Sequence, residues 1–330
     1  MNQTWIKKVV IGSMLFALIT PCMNALSQES VQQYPSKPVS IVVNFPVGGG
    51  TDILARVLGN GFNDAFGQPA IIENRVGASG NVGAKLVADK APDGYTLLMV
   101  NSSYAINPGV FSSMPFDPKK DLTPIINVAF VPSVIVVPPD SPYKRLSELL
   151  AAAKPAKNPI SFGSCGNGTP QHLAGATLNL DAKTNMTHVP FGGCGPALRD
   201  VLGSQIPMAI ITASSAAPHI KSGKLIALGI TSAERTVQLP NIPTVAEQGY
   251  PGYQINQWHG LLVPAKMPIA LQNKIYENIL KIVQTPEIKE KLISMGYTPA
   301  YDDPTVFGKL VHYDIDRFSS LTKLIGLKSD

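Results

Sequence analysis

Charged residues are scarce in this chain: they make up 15% of its 330 residues, against roughly 25% in typical soluble proteins. Lysine and arginine form no run longer than two residues, such as Lys119-Lys120, which argues against a nucleic-acid-binding surface. Glycine and proline number 28 and 29, too few for a low-complexity chain, and 45% of the residues are hydrophobic. Disordered, coiled-coil and collagen-like classes are therefore excluded, and a globular protein with a sizeable core is expected.

Long apolar runs are also lacking, except at the amino terminus, where residues 1–27 predict a cleaved signal peptide. Lys7-Lys8 gives a basic start, Val9–Ile19 is apolar, and Ala25-Leu26-Ser27 offers small residues for cleavage. A retained membrane anchor is disfavoured because Pro21 interrupts the run. Pro21 also argues against a lipoprotein anchored at Cys22, because a lipoprotein needs a small residue directly before that cysteine. The sequence therefore predicts export.

Cysteine is rare as well, with three in the chain, and Cys22 falls in the predicted signal peptide. Cys165 and Cys194 remain, each in a glycine-rich loop. In an exported protein such an even pair is more often a disulfide than a catalytic or metal site. A bridge would close a loop of about 30 residues, stabilise the fold by ~3–4 kcal/mol and fix the two loops against each other.

A strand, a glycine-rich loop and a helix follow one another repeatedly. The run 39–45 is short and β-branched, which predicts a buried strand; Pro46-Val-Gly-Gly-Gly50 follows, and Thr51 or Asp52 is expected to cap the next helix. Similar successions recur across residues 69–87, 95–103, 160–178 and 188–202. This alternation predicts an open α/β sheet that binds ligands at the carboxyl ends of its strands.

The glycine loops favour a cleft for a small anion, because loop N–H groups and helix dipoles would converge there. No loop completes the nucleotide-binding patterns G-x-x-x-x-G-K-[ST] or G-x-G-x-x-G. A small carboxylate is the natural ligand, and no cofactor or metal is expected. Asp52 could act in acid–base chemistry, but the capping interpretation is preferred.

A secreted hydrolase or thiol enzyme is the competing class. Ser141 and Lys144 match the S-x-x-K pattern, and Cys165 with His172 could form a nucleophile and base. His188 is the alternative base, and Cys165, His172, His188 and Cys194 could also bind a metal, but their spacing is irregular. No G-x-S-x-G nucleophile motif is present, so a non-enzymatic binding protein is preferred.

Two extended segments, residues 128–139 and 250–264, predict crossings between two domains. We expect domain 1 to comprise residues 34–131 and 254–330, domain 2 to be the insertion 132–253, and the hinge to lie near Val131–Val137 and Gly252–Trp258. Helical patterns at 269–283 and 307–324 are expected to pack on domain 1. Trp258 either lines the cleft or packs between the domains.

Several motifs resemble, in order, those of the tripartite tricarboxylate transporter substrate-binding proteins, also called the Bug family. They are Phe45-Pro-Val-Gly-Gly-Gly-Thr-Asp52 with Ala55-Arg56, Asn74-Arg-Val-Gly-Ala-Ser-Gly-Asn-Val-Gly-Ala84, Ala91-Pro-Asp-Gly-Tyr-Thr-Leu97, His188-Val-Pro-Phe191, Leu239-Pro-Asn-Ile-Pro-Thr-Val-Ala-Glu-Gln-Gly249 and Trp258-His-Gly-Leu261. The resemblance extends over residues 34–327, essentially the whole mature chain.

The resemblance implies a periplasmic type II binding protein: two doubly wound α/β domains joined by two crossing segments, with a ligand cleft between them. It further implies a monomer that delivers a small carboxylate to a two-subunit, ion-gradient-driven membrane permease. A receptor that feeds a signalling sensor is the alternative. The ligand-binding residues carried over are Phe45, Gly49, Gly50, Thr51, Asp52, Gly80, Asn81, Ser102, Ser164, Gly168, Thr169, Phe191 and Gly192.

Two departures from the family pattern bear on the ligand. Val47 stands where many relatives have proline, and Phe191-Gly192-Gly193 replaces the more usual Tyr-Lys-Gly. The cleft thereby loses a positive charge and a hydroxyl. A mono- or dicarboxylate, possibly aromatic, is therefore expected rather than a tricarboxylate.

Overall fold

A computed structural model describes residues 31–154 and 159–328, so the predicted signal peptide lies outside the described residues. The strands are β1 (Val39–Val43), β2 (Ala70–Asn74), β3 (Thr96–Asn101), β4 (Leu122–Val137), β5 (Ser161–Ser164), β6 (Thr187–Pro190), β7 (Met208–Thr212), β8 (Ile226–Ile230), β9 (Asn256–Pro264) and β10 (Thr298–Asp302). The α-helices are α1 (Gly50–Asn60), α2 (Phe62–Phe66), α3 (Asn81–Ala88), α4 (Ser103–Val110), α5 (Leu146–Ala152), α6 (Pro170–Ala182), α7 (Cys194–Leu202), α8 (Ala213–Lys221), α9 (Ile269–Gln284), α10 (Pro286–Ser294) and α11 (Pro304–Leu324).

The long strand β4 belongs to both halves of the molecule. Strand order is β2-β1-β3-β9-β4-β7-β5-β6, and β8 and β10 also pair with β4. Up to Pro132, β4 pairs with β9; from Ser133 onward it pairs with β7 and β8. We call the half containing β1–β3, β9 and β10 lobe 1, and the half containing β5–β8 lobe 2. The fold is thus two α/β lobes, as expected.

Parallel strands covered by helices give each lobe its core. β1 is paired in parallel with β2 and β3, and four of its five residues are buried, as its nearly continuous apolar run predicts. β5 is likewise paired in parallel with β6 and β7 in lobe 2. The carboxyl ends of these strands lead into the glycine loops, which therefore meet between the lobes.

Two local expectations need correction. The cap of α1 is Gly49 rather than Thr51 or Asp52, because Gly48 turns the chain with a left-handed φ of 79° and the helix begins at once. The helices expected at 269–283 and 307–324 are confirmed as α9 and α11, but α10 was missed. In α10 only Ile288 and Leu292 are buried, so its apolar stripe is too thin to stand out in the sequence.

Three segments are tied together where the lobes join. The Thr231 hydroxyl donates to the Ile255 carbonyl at 2.7 Å and accepts from the Ser133 N–H at 3.0 Å. The Thr231 N–H donates to the Ser133 carbonyl at 2.9 Å, and the Ile255 N–H to the Thr231 carbonyl at 2.8 Å. Ser133 and Ile255 lie in the two expected hinge segments, and Thr231 lies outside both. The domain boundaries stay a prediction.

Trp258 packs in the interior and does not line the cleft cavities described below. It is 1% exposed, its indole N–H donates to Asp314 at 2.9 Å, and its ring lies edge-on to Phe307. Across residues 31–154 and 159–328, every helix is too short or too polar to span a bilayer.

Candidate functional site

Two of the cavities between the lobes are lined by residues of the expected ligand-binding set. The amide cavity, of about 240 Å³, is lined by the starts of α1 and α7; the side cavity, of about 400 Å³, is lined by the loop before α3 and by Phe111. They share the wall residues Phe45, Pro46, Cys165, Gly192 and Gly193. A Cβ built on Gly193 would lie 3.6 Å from Pro46 Cγ, so the two lobes are in contact at this wall.

Asp52 holds the loop between β1 and α1 in place. Its carboxylate accepts hydrogen bonds from the Gly48 N–H at 2.9 Å, from two Arg56 nitrogens at 3.0 Å and from the Asn74 amide at 2.9 Å. Burial raises the pKa of Asp52, but these hydrogen bonds together outweigh burial and hold that pKa below its usual value. The Asp52 carboxylate is therefore engaged in hydrogen bonds that hold the loop, and Asp52 lines neither cavity.

Asp52→Asn is expected to lower the free energy of unfolding by about 1–3 kcal/mol at pH 7, because the Gly48 N–H and the Arg56 guanidinium lose a charged acceptor. Since the folded-state pKa is depressed, this stability is present above the unfolded pKa of ~3.9 and is lost as pH falls through the folded value. Urea unfolding should therefore separate the variant from wild type at pH 7, and the difference should shrink as pH falls through the lowered folded-state pKa. Asp64→Asn, which changes an exposed carboxylate on α2, is the control. Equal stabilities of wild type and Asp52→Asn at pH 7 would contradict this role.

Lobe 1 presents a helix start and a hydroxyl to the amide cavity. Gly49, the cap of α1, has no side-chain hydrogen bond to the helix, so the first N–H groups of α1 are not capped. Asn101, at the end of β3, donates to Thr51 Oγ1 at 3.0 Å and accepts from the Ser103 N–H at 2.9 Å. In its bond with Asn101 the Thr51 hydroxyl is the acceptor, so its own proton stays available for donation to a ligand.

Lobe 2 presents a second uncapped helix start, held by a disulfide. Cys165 and Cys194 are bonded, with their Cα atoms 4.3 Å apart. The bridge joins the loop before α6 to the first residue of α7, whose cap Gly193 makes no side-chain hydrogen bond to the helix. Thr169 caps α6 by accepting from the His172 N–H at 3.3 Å, and its hydroxyl donates to the Gly166 carbonyl at 2.7 Å. The amide cavity therefore lies against four helix starts, those of α1, α6, α7 and α8, and among these four α6 alone has a side-chain cap.

Buried amides form a further part of the amide-cavity wall. Gln171 donates to Ser133 Oγ at 2.9 Å and to Gln257 Oε1 at 2.8 Å, and the Gln257 amide nitrogen lies 3.0 Å from His259 Nε2. Burial lowers the pKa of His259 to about 3, so this imidazole is neutral near pH 7. This part of the wall is therefore polar but uncharged, and it spans both lobes and the crossing strand β9.

A stacked histidine pair supports the loop between β5 and α6. The rings of His172 and His188 lie 3.5 Å apart between centroids and are nearly parallel at 10°. Burial lowers the pKa of His172 to about 3, with a further contribution from His188, and lowers that of His188 to about 4. Ser164 Oγ is hydrogen-bonded to His188 Nε2 at 2.6 Å, and the Gly168 N–H donates to His172 at 3.4 Å. Ser164 and Gly168 thus contact the histidines.

The enzyme constellations considered from the sequence do not assemble. The Cys165 sulfur is in the disulfide, so it forms no thiolate pair with His172. Lys144 Nζ donates to the Pro139 carbonyl at 2.6 Å, whereas the Ser141 hydroxyl accepts from the Tyr143 N–H at 3.2 Å. Across residues 31–154 and 159–328, no three His, Cys, Asp or Glu side chains come together in a group that could hold a metal ion.

The structure brings eight of the thirteen expected ligand-binding residues to a cavity wall. Those at the amide cavity are Phe45, Gly49, Gly50, Thr51, Thr169 and Gly192, and those at the side cavity are Phe45, Gly80, Phe191 and Gly192. Asp52, Asn81, Ser102, Ser164 and Gly168 lie behind these walls. Asn81, for example, accepts from Asn107 at 2.7 Å, and the Ser102 N–H donates to the Trp258 carbonyl at 3.1 Å.

Sequence reasoning missed five polar residues of the amide cavity: Asn101, Gln171, Arg199, Thr212 and Gln257. Two of them carried a usable signal. Asn101 and Thr212 are polar residues that end buried strands, which is where ligands of α/β sheets are bound. The other three lie in helices or within β9 and follow no local rule.

Two α/β lobes that share crossing strands and enclose a cleft lined by helix starts define a two-lobed solute-binding protein. The chain belongs to the family described as "Tripartite tricarboxylate transporter family receptor", whose model matches residues 54–327. The resemblance stated from the motifs is thereby confirmed.

Characterised relatives cover nearly the whole chain. Protein BugT of Bordetella pertussis is 32% identical over 301 residues, covering 91% of this chain and 92% of that protein. The solved periplasmic binding protein BugD is 30% identical, with a TM-score of 0.84 over 90% of this chain and 100% of its own. MatC from Rhodopseudomonas palustris, solved with bound malate, is 30% identical with a TM-score of 0.82. The match covers 87% of this chain and 99% of MatC. An R. palustris protein solved with adipate is 29% identical with a TM-score of 0.84, and the match covers 89% of this chain and 98% of that protein.

Proposed function

We propose that this protein is a periplasmic receptor that captures a small carboxylate in the amide cavity and delivers it to a membrane permease. The observation that carries the proposal is that α1 and α7 both begin at this cavity without side-chain caps. Unpaired N–H groups and the positive ends of two helix dipoles favour an anion there. Among the described residues that line the cavity, none is an aspartate or glutamate that would repel it.

The relatives support the same conclusion from a different direction. The two R. palustris proteins were solved with malate and with adipate, both of which are small carboxylates. The family description supports a transporter partner, and the periplasmic neighbour BugD agrees with the predicted export signal. A two-subunit permease and a monomeric receptor stay predictions.

The dimensions and lining of the amide cavity favour a ligand of a few carbons. Its volume of about 240 Å³ is below the ~300–1,000 Å³ typical of small-molecule pockets. Phe45, Pro46 and Val47 offer apolar contact beside the helix starts. Two dipole ends with N–H and hydroxyl contacts can supply micromolar affinity, about −8 kcal/mol.

Closure of the lobes over the ligand completes the proposal. The Ser79 hydroxyl of lobe 1 donates to the Asn167 carbonyl of lobe 2, and Pro46 contacts Gly193 across the same cleft. We propose that the lobes move apart about the Ser133–Thr231–Ile255 junction, where crossing segments meet. A ligand that bridges both lobes then stabilises the closed state by its differential affinity for it.

Titration calorimetry of the mature chain, from residue 28 onward, tests the receptor role. Adipate and malate are the first probes, with adipamide as an uncharged control of matched length. We expect at least one small carboxylate to bind with a Kd of about 10⁻⁶ M and adipamide to give no heat. Absence of binding across dicarboxylates and monocarboxylates of two to eight carbons would contradict the proposal.

Thr51→Val is expected to weaken carboxylate binding by about 10–100-fold, because it removes one hydrogen bond to a charged group, worth roughly 1.5–3 kcal/mol, while keeping the side-chain shape. Thr51→Ser keeps the hydroxyl and is the matched control, with affinity expected within about 3-fold of wild type. Calorimetry measures both variants, and circular dichroism checks that each is folded. An unchanged Kd in Thr51→Val would remove Thr51 from the site.

A further inference from the structure

Arg199 is the only charged side chain among the described residues that line the amide cavity. It lies on the exposed side of α7, four residues after Gly195. Its Nη1 atom would lie 3.9 Å from a Cβ built on Gly195, so the guanidinium reaches back towards the start of the helix. This direction brings it beside the uncapped N–H groups that face the cavity.

Arg199 also differs from every other arginine in the chain. The six arginines all lie within the described residues, and five of them form an ion pair with an aspartate or glutamate: Arg56, Arg75, Arg145, Arg235 and Arg317. For the Arg199 side chain, the part of the chain that the structure describes supplies no carboxylate partner. A guanidinium beside a cavity without a protein counter-ion is available to a ligand.

We infer that Arg199 binds a second carboxylate of the ligand and so gives the receptor a preference for dicarboxylates over monocarboxylates. The inference rests on the proposed function, in which the starts of α1 and α7 hold the first carboxylate. A guanidinium presents a planar fork of N–H donors that matches a carboxylate, and its charge is retained at every physiological pH. A monocarboxylate fills the first position only.

The lining of the amide cavity also suits the part of a dicarboxylate that links its charged ends. Phe45, Pro46 and Pro196 line the same cavity and offer apolar surface. A short chain of methylene groups can lie against them while its two ends reach opposite polar groups. The buried amides of Gln171 and Gln257 can donate a hydrogen bond to a hydroxyl on such a chain or accept one from it.

The size of the preference follows from the exposure of Arg199. An exposed ion pair is screened by water and salt, so a single contact contributes little. A bidentate contact contributes more to affinity when the rest of the cavity already orients the ligand. We expect a preference of about 10-fold, which should shrink as ionic strength rises.

The test compares straight-chain dicarboxylates of four to eight carbons with monocarboxylates of the same lengths, by calorimetry on the mature chain. In wild type, the best dicarboxylate should bind about 10-fold more tightly than its matched monocarboxylate. Arg199→Gln should weaken dicarboxylate binding about 10-fold and monocarboxylate binding much less, which removes the advantage, and Arg199→Lys should retain part of it. Lys224→Gln, which removes an exposed charge elsewhere on lobe 2, should change neither value.

The possible results separate the two proposals. If wild type binds both classes equally, or Arg199→Gln keeps the preference for dicarboxylates, the role of Arg199 is overturned while the receptor function stands. A similar loss of the dicarboxylate preference in Lys224→Gln would also overturn the role of Arg199, because the preference would then come from the overall charge of the lobe. If no acid of either class binds, both proposals fail together.

Discussion

Replacing Cys165 and Cys194 by alanine should lower the free energy of unfolding by ~3–4 kcal/mol, the value of the chain-entropy model for a separation of 29 residues. The unfolded chain gains the freedom that the bridge removed, and both positions are buried in a lobe 2 core cluster. Alanine avoids the burial of two hydroxyls that serine would introduce. Urea unfolding of the variant and of wild type, at matched pH, measures the difference.

The same substitution should also weaken carboxylate binding. The bridge fixes the loop that carries Thr169 against the start of α7, so its loss frees two cavity walls that a ligand must then order. Reduced wild-type protein is the control, because it breaks the bridge without changing the sequence. It should match the double variant in stability and in affinity. If reduction leaves both quantities unchanged, the bridge has neither role.

Trp258→Ala should destabilise the protein by about 3–5 kcal/mol, because it empties a fully buried position and leaves Asp314 without its indole partner. Trp258→Phe removes the N–H and part of the indole volume but keeps one aromatic ring, so it should cost less, about 1–3 kcal/mol. Unfolding curves of the two variants measure how much of the loss the remaining ring recovers. Equal losses in both would mean that the Asp314 contact dominates.

The pH dependence of Trp258→Phe gives a second check. Burial raises the pKa of Asp314, while Arg317 and the Trp258 N–H oppose that effect. Without the indole N–H the folded-state pKa should rise further, so ionising Asp314 should cost more stability. The deficit of the variant should therefore be smallest below about pH 4, where the carboxyl is protonated in both states, and should grow as pH rises through the raised folded value. A deficit that shrinks with rising pH would contradict this account.

Local patterns were sufficient to predict the elements that build the cleft. The β-branched run of β1, the glycines after it and the apolar spacing of α1 each act within a few residues, so the strand, the turn and the helix were predictable. The pairing of Cys165 with Cys194 needed only the count of cysteines and the expectation of export. The strand, the turn and the helix each depend on one short segment, and the disulfide depends on the cysteine count.

The rest of the site depends on segments that only the fold brings together. Gln171 and Gln257 are 86 residues apart and meet because α6 and β9 converge on the lobe junction. Asp52 was expected at the ligand, but Asn74, from a strand 22 residues away, helps to direct it to the loop instead. No periodicity or spacing encodes such contacts, so the position of Asp52 at a helix start was predictable but its hydrogen-bond partners were not.

The path of the chain through β4 has a consequence for biogenesis. In lobe 1, β9 lies between β3 and β4, so this sheet stays open until residues 256–264 have been synthesised. Lobe 2 takes its strands from the continuous stretch 133–230 and can assemble first. During vectorial synthesis the β3 and β4 edges thus stay unpaired longest, and unpaired edges invite aggregation. Lobe 1 can therefore close its sheet only after β9 and β10 have been synthesised.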